Sequence, residues 1–267
     1  MPEIAEVETV VRSLRRRLLG GRIRRVEIYD PKLRGFDAAR LKGRVIRDVQ
    51  RAGKEIVIDV STPKSPRWWC VHLRMTGALL WRPGGIPPTD RHLRLRAALD
   101  RGALFYFDSR RFGVMRLCAS PDEFAPAGID PLSRDFTIER LADLLRGAKT
   151  AIKPWLLRQD RLVGFGNIYA SEVLFAAGID PRRPAGGLSA REIKRLHRAT
   201  THVLLKAVEC GGTTISDFAD CDGECGGYQR YLKVYGREGE RCRRGDGRII
   251  RLVQQGRSTF YCPSCQQ

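Results

Sequence analysis

Apolar positions Ile4, Val7, Val10, Val11, Leu14 and Leu18 recur at helical spacing over residues 3–18, and Gly20-Gly21 closes the segment. Glu3, Glu6 and Glu8 come early and Arg12, Arg15, Arg16 and Arg17 late, which suits the helix dipole at both ends. The pattern then shortens to strands over 22–29, 44–51, 54–60, 68–75, 92–99 and 103–107, rich in Val, Ile, Leu and aromatics and parted by Gly, Pro and Asp. Alternation is clearest in Ile23, Val26, Ile28 and in Ile56, Ile58, and an antiparallel sandwich is the natural packing. Pro121, Pro126 and Pro131 punctuate a linker, after which helical periodicity takes over in 138–145, 168–177 and 190–208. The expectation is an α+β multidomain chain: a β-sandwich at 1–118, a linker at 119–132, a helical domain at 133–228 and a hairpin module at 229–267.

Charge narrows the class of partner. The 267 residues carry 49 Lys+Arg against 30 Asp+Glu, a net +19 spread along the chain, with a pI near 10.2. A polyanion is the expected ligand. There is no long apolar run, signal peptide or lipidation box, so nucleic acid is favoured over a membrane surface. Eight cysteines without an export signal point to reduced thiols or a metal site, not a disulfide framework.

The first three residues hold latent chemistry. Removal of Met1 would leave Pro2 as a secondary amine beside the Glu3 carboxylate. An α-amine has a pKa of roughly 8, so an appreciable share is unprotonated at neutral pH. Attack by such an amine on a sugar aldehyde carbon gives an iminium, an electron sink for neighbouring C–H bonds. Lys54, just after Gly53 at a strand start, could present its amine to a phosphate or a reacting centre, or lie solvated at a strand end. Met75 beside a glycine turn, and Arg110 two residues from Phe112, could enter a base stack as wedge residues, or serve as strand-end core and surface charge. Gly164 and Gly166 permit tight turns before a helix opening at Asn167; with Lys149 and Lys153 upstream, the block reads as a phosphate clamp. Cys242 and Cys262-Pro263-Ser264-Cys265 frame a basic hairpin, but a four-cysteine zinc ribbon wants another Cys where Gly245 stands.

The Pro2-Glu3 helix with Glu6-Val7-Glu8-Thr9, the Met75 and Arg110-x-Phe112 loops, the block from Thr150-Ala151-Ile152-Lys153 to Gly166-Asn167-Ile168-Tyr169-Ala170-Ser171-Glu172, Gly211-Gly212-Thr213-Thr214, Val234-Tyr235-Gly236-Arg237 and Gly256-Arg257-Ser258-Thr259 together resemble bacterial formamidopyrimidine-DNA glycosylases from residue 2 to 265. The resemblance implies an N-terminal β-sandwich, a central helix-two-turns-helix domain and a C-terminal β-hairpin finger, with damaged double-stranded DNA held in the cleft between the two main domains. It implies base-excision repair by a glycosylase and abasic-site lyase that removes 8-oxoguanine and formamidopyrimidines, acting as a monomer in the bacterial cytoplasm. Pro2 would attack C1′ of the deoxyribose, Glu3 would donate a proton to open the sugar ring, Lys54 would assist, and Arg257 would serve the second elimination. His92, Arg110, Lys149, Lys153 and Asn167 would contact DNA, and Met75, Arg110 and Phe112 would fill the space left by the everted base, with Arg110 facing the orphaned cytosine.

The chain departs from that pattern in places. Ala5 replaces a usual proline, and Cys221 and Cys225 lie in the loop 217–228, which in the purine-directed branch covers the flipped base. Endonuclease VIII, directed at oxidised pyrimidines, shares the Pro2-Glu3 start. A catalytically silent DNA-binding relative and an RNA-binding basic protein are the other readings. The finger could hold Zn²⁺ on Cys242, Cys262 and Cys265 with Asp246 or water as fourth ligand, or fold by hairpin packing without metal.

Overall fold

The structure, a computed structural model, describes residues 1–267 except 34, 87, 88, 216 and 217. Asp217, the first residue of the loop singled out above, lies outside the described residues. The chain divides into two compact units, Met1–Ala125 with Cys210–Gly227, and Pro126–Glu209 with Tyr228–Gln267.

In the first unit, α1 (Ile4–Leu18) is followed by eight strands: β1 (Ile23–Ile28), β2 (Asp48–Ala52), β3 (Glu55–Asp59), β4 (Trp68–His72), β5 (Gly77–Arg82), β6 (Leu93–Leu99), β7 (Gly102–Asp108) and β8 (Val114–Cys118). They form two antiparallel four-stranded sheets, β1-β6-β7-β5 and β2-β3-β4-β8. One buried cluster joins Ile56, Ile58, Trp69 and Val71 to Leu79, Leu95, Leu104 and Tyr106, and takes in Val7, Val10, Leu14 and Leu18 from α1. The helix buries the stripe that its 3.6-residue period aligns, and burial of such aliphatic side chains stabilises by roughly 1.5–3 kcal/mol each. The terminus it carries is thereby fixed to a sandwich.

Segment 210–227 packs with this unit instead of the helical one in which the sequence pattern had placed it. Cys221 is fully buried in the sandwich cluster, the Trp81 N–H donates to its carbonyl at 2.7 Å, and its own N–H meets Ser13 Oγ at 3.3 Å. Arg17 and Asp222 pair at 2.9 Å. A side chain from a polar loop thus fills the core, and the loop follows it.

The second unit comprises α2 (Ile138–Leu145), α3 (Ile152–Leu156), α4 (Asn167–Ala177), α5 (Ala190–Glu209) and a hairpin of β9 (Ile250–Gln254) and β10 (Arg257–Tyr261). The hairpin turns on Gln255 and Gly256, both at positive φ (47° and 71°), the backbone of a two-residue turn whose twist matches its strands. Glu172, buried on α4, accepts the N–H groups of Lys233, Val234 and Tyr235 at 2.8–2.9 Å, which anchors the start of the finger. Among the described residues, no helix is long and apolar enough to cross a membrane.

Candidate functional site

Pro2 and Glu3 are buried at the start of α1, with Met1 exposed ahead of them. The Glu6 carboxylate is buried too and works on both sides: Oε2 accepts the Glu3 N–H at 2.8 Å, and Oε1 accepts the Thr213 N–H at 2.7 Å. Gly212 lies so close that a Cβ there would stand 3.0 Å from Glu6 Oε1, and its φ of +80° disfavours any side chain. A chain start, normally prone to fraying, is thus held by a hydrogen-bonded carboxylate.

Lys54 occupies the two-residue turn between β2 and β3, half-buried, after Gly53 at φ +60°. Arg51 orients that turn: it donates to the Gly53 carbonyl at 3.2 Å and to Glu8 on α1 at 2.9 Å. Burial works against the charge of Glu8, but the Arg12 and Arg51 guanidinium groups outweigh it and hold the carboxyl below its usual range. His72 lies across from Glu55 on the neighbouring strand and accepts the Arg74 N–H on Nδ1 at 3.0 Å. Burial, reinforced by the positive charge of Arg74, pushes its pKa down to about 4, so the ring is neutral at pH 7. Sequence reading passed over His72 and Glu6 as site members. Each carries the right chemistry, but only the fold shows the neighbours that give it a task.

Met75, Arg110 and Phe112 come together. The Arg110 guanidinium lies 4.8 Å from the Phe112 ring centroid, and its Nη1 meets Met75 Sδ at 3.3 Å. All three are exposed, although each loop is short and the two aromatic and thioether groups are large. Asp108 builds the platform beneath them. Buried at 2% exposure, its carboxylate accepts Thr76 Oγ1 at 2.5 Å, the Gly113 N–H at 2.8 Å, the Tyr106 hydroxyl at 3.1 Å and the Arg110 N–H at 3.2 Å. Burial opposes its ionisation, yet these donors hold its pKa below the ordinary value. The Asp108 N–H donates to the carbonyl of His92, which is half-buried nearby. Arg111, at φ +58°, is pinned by Asp30 at 2.5 and 2.8 Å, which turns the backbone so that Arg110 and Phe112 share one side.

In the second unit Lys153 is fully buried. Its ammonium donates to Asn167 Oδ1 at 2.5 Å, the Ser258 carbonyl at 2.8 Å and Thr259 Oγ1 at 2.8 Å, while Asn167 Nδ2 also donates to the Ser258 carbonyl at 2.8 Å. Lys153 and Asn167 therefore brace the start of β10, where Arg257 stands exposed at the rim of a cleft of about 180 Å³ shared with Arg158 and Gln254. Lys149 is exposed. Cys242, Cys262 and Cys265 bring their sulfur atoms within 4.8 Å of one another, the one such ligand group among the described residues. These thiols could hold a metal ion. Cys221 belongs to the sandwich core of the other unit, where burial raises its thiol pKa to about 12, and Cys225 is exposed there.

A buried Pro2-Glu3 pair at the head of a helix, an exposed cluster of Met75, Arg110 and Phe112 and a cysteine-framed basic hairpin suit an enzyme that works on nucleic acid. Residues 1–115 match the formamidopyrimidine-DNA glycosylase N-terminal domain and residues 127–219 the formamidopyrimidine-DNA glycosylase H2TH domain. The chain is 40% identical to the formamidopyrimidine-DNA glycosylase of Carboxydothermus hydrogenoformans, with both chains covered in full, and 39% identical to that of Escherichia coli, again over both full lengths. The Thermus thermophilus MutM (Fpg) protein superposes with a TM-score of 0.88 at 37% identity, covering 99% of this chain and 98% of that one. A Lactococcus lactis Fpg mutant bound to DNA containing Fapy-dG superposes with a TM-score of 0.89 at 32% identity over both entire chains. The chain belongs to the formamidopyrimidine-DNA glycosylase family and has its fold.

Proposed function

We propose that this DNA glycosylase removes oxidised purines, 8-oxoguanine and formamidopyrimidines, from duplex DNA and then cleaves the strand as a lyase. Once Met1 is removed, the Pro2 nitrogen attacks C1′ of the damaged nucleotide, the C1′–N bond breaks, and the base leaves with a proton. Glu3 protonates the ring oxygen, so that the opened sugar carries a Pro2 iminium. Loss of the C2′ proton then expels the 3′ phosphate, and a second elimination expels the 5′ phosphate, leaving a one-nucleotide gap. Lys54, on a turn oriented by Arg51, and Arg257, at the start of β10, bind the phosphates that leave.

The observation that carries this reading is the burial of Pro2 and Glu3 at the head of a helix whose Glu6 ties it in place. The exposed Met75, Arg110 and Phe112 supply the wedge that replaces an everted base, with Arg110 set to face the orphaned cytosine. The protein acts as a monomer in the cytoplasm. Excision assays on matched duplexes containing 8-oxoguanine, formamidopyrimidine or thymine glycol test the substrate class: the first two are cut and leave phosphate on both sides of the gap. Preferential cutting of thymine glycol would assign the enzyme to oxidised pyrimidines instead.

A further inference from the structure

Cys262-Pro263-Ser264-Cys265 has the two-residue spacing of a zinc knuckle, and Cys242-Arg243-Arg244-Gly245 has the same spacing with glycine in the second ligand position. The site is nonetheless arranged for metal. Cys242 and Cys265 sulfurs are 3.7 Å apart, near the roughly 3.8 Å edge of a tetrahedron whose zinc–sulfur bonds are about 2.3 Å. The Arg244 N–H points at Cys242 Sγ at 3.4 Å, so the turn wraps the sulfur with glycine in the second ligand position. Arg244 also locks the turn onto α4, with its guanidinium 4.4 Å from the Phe175 ring centroid and Nη1 donating to the Phe175 carbonyl at 2.8 Å.

A Cβ placed on Gly245 would stand 3.4 Å from Cys265 Sγ and meet nothing else within 4 Å. Gly245 therefore faces the sulfur cluster, it is exposed, and its φ lies outside the left-handed region, so nothing in the backbone demands a glycine. Asp246 does not take the position. Its side chain is 96% exposed and its carboxylate pairs with Arg241 at 2.8 Å. No His, Asp or Glu among the described residues joins the three sulfurs as a ligand group.

We propose that Cys242, Cys262 and Cys265 bind zinc as a three-thiolate site whose fourth coordination position, beside Gly245, opens to solvent and takes an exchangeable small ligand. Binding converts the three thiols to thiolates and releases their protons, with no change of oxidation state. Water fills the fourth position at rest, and a neutral imidazole nitrogen, or a small thiol that gives up its proton and binds as the thiolate, replaces it. The finger thus combines the ligand count of a catalytic zinc with the place of a structural one.

Cobalt substitution of the reduced full-length protein tests this. One Co²⁺ per chain should give thiolate charge-transfer bands and tetrahedral d–d bands, and imidazole should shift the d–d bands. Gly245→Cys should give a four-thiolate spectrum that imidazole leaves unchanged, and should hold zinc against a chelator on the order of 100-fold more tightly. Asp246→Ala should leave the wild-type spectrum and its imidazole response intact. Failure of the wild type to bind Co²⁺ stoichiometrically, indifference of its spectrum to imidazole, or an Asp246→Ala spectrum different from wild type would each overturn the proposal.

Discussion

The Glu6 carboxylate joins Thr213 to the start of the chain: one oxygen takes the Thr213 N–H at 2.7 Å while the other takes the Glu3 N–H at 2.8 Å. Segment 210–227 and the start of α1 therefore share one acceptor. Glu6→Ala removes it from two buried donors and should cost about 2–4 kcal/mol of stability. Glu6→Gln retains one acceptor oxygen and should cost about half as much. Hydrogen exchange should show lost protection at both Thr213 and Glu3 in Glu6→Ala, and at one of the two in Glu6→Gln. Unchanged exchange at Thr213 in Glu6→Ala would mean that the carboxylate is not what holds the segment.

Asp108 underlies the cluster of Met75, Arg110 and Phe112 without belonging to it. Asp108→Ala strips the acceptor from Thr76, Tyr106, Arg110 and Gly113, and should destabilise the first unit by about 3 kcal/mol. It should also erode discrimination for cytosine opposite the lesion, because Arg110 loses its fixed backbone. Phe112→Ala, at a side chain 48% exposed, should leave stability within about 0.5 kcal/mol while lowering excision. Denaturant melts and excision opposite each of the four bases check both variants.

Lys153 and Arg257 should separate cleanly. Lys153→Met buries no charge and leaves the Ser258 carbonyl and Thr259 hydroxyl without their ammonium donor, at a cost of roughly 2–4 kcal/mol. Its effect should fall on hairpin protection and not on the salt dependence of DNA binding. Arg257→Ala should do the reverse, reducing the slope of log affinity against log salt by about one with stability unchanged. A slope change in the Lys153 variant with an intact hairpin would make that lysine a direct phosphate contact.

Acid should loosen the fold in two stages. Burial and the Arg74 charge lower His72 from 6.5 to about 4, so its contribution is complete above pH 6.5 and is lost as pH falls through about 4. The Arg111 guanidinium lowers Asp30 from 3.8 to about 2, and that of Arg183 lowers Glu192 from 4.5 to about 2. Their contributions are complete above the ordinary carboxylate values and are lost as pH falls through about 2. His72→Gln should flatten the denaturation midpoint between pH 6.5 and 4, and Arg111→Ala should move the acid transition to higher pH. A His72 imidazole titrating near 6.5 by NMR would contradict the burial assigned to it.

Much of this fold is legible in the sequence, because its elements bury a face with a regular period. Residues 138–145 form α2 between the expected limits, and α1, α4 and α5 fall within a residue or two of theirs. β5 escapes notice because Ala78-Leu79-Leu80-Trp81 is a continuous apolar run after a glycine, without alternation, and β8 is short and interrupted by Arg116. α3 is hidden by Pro154, which signals a break. The proline sits in the first turn, where its missing N–H has no intrahelical partner to lose. The Met75, Arg110 and Phe112 trio could be read because large side chains beside glycine turns are unusual. The burial of Lys153 could not, since its three acceptors come from residues up to 106 positions away. Likewise, nothing local tells Cys221 that its neighbours are the strands of a sandwich.

The most direct measurement is the intact mass of the enzyme after borohydride reduction with an 8-oxoguanine duplex, followed by peptide mapping of the adduct. A chain beginning at Pro2, with the sugar remnant on its nitrogen, is the predicted result. An active enzyme that retains Met1, or a remnant on Lys54 or any other side chain, would contradict the mechanism.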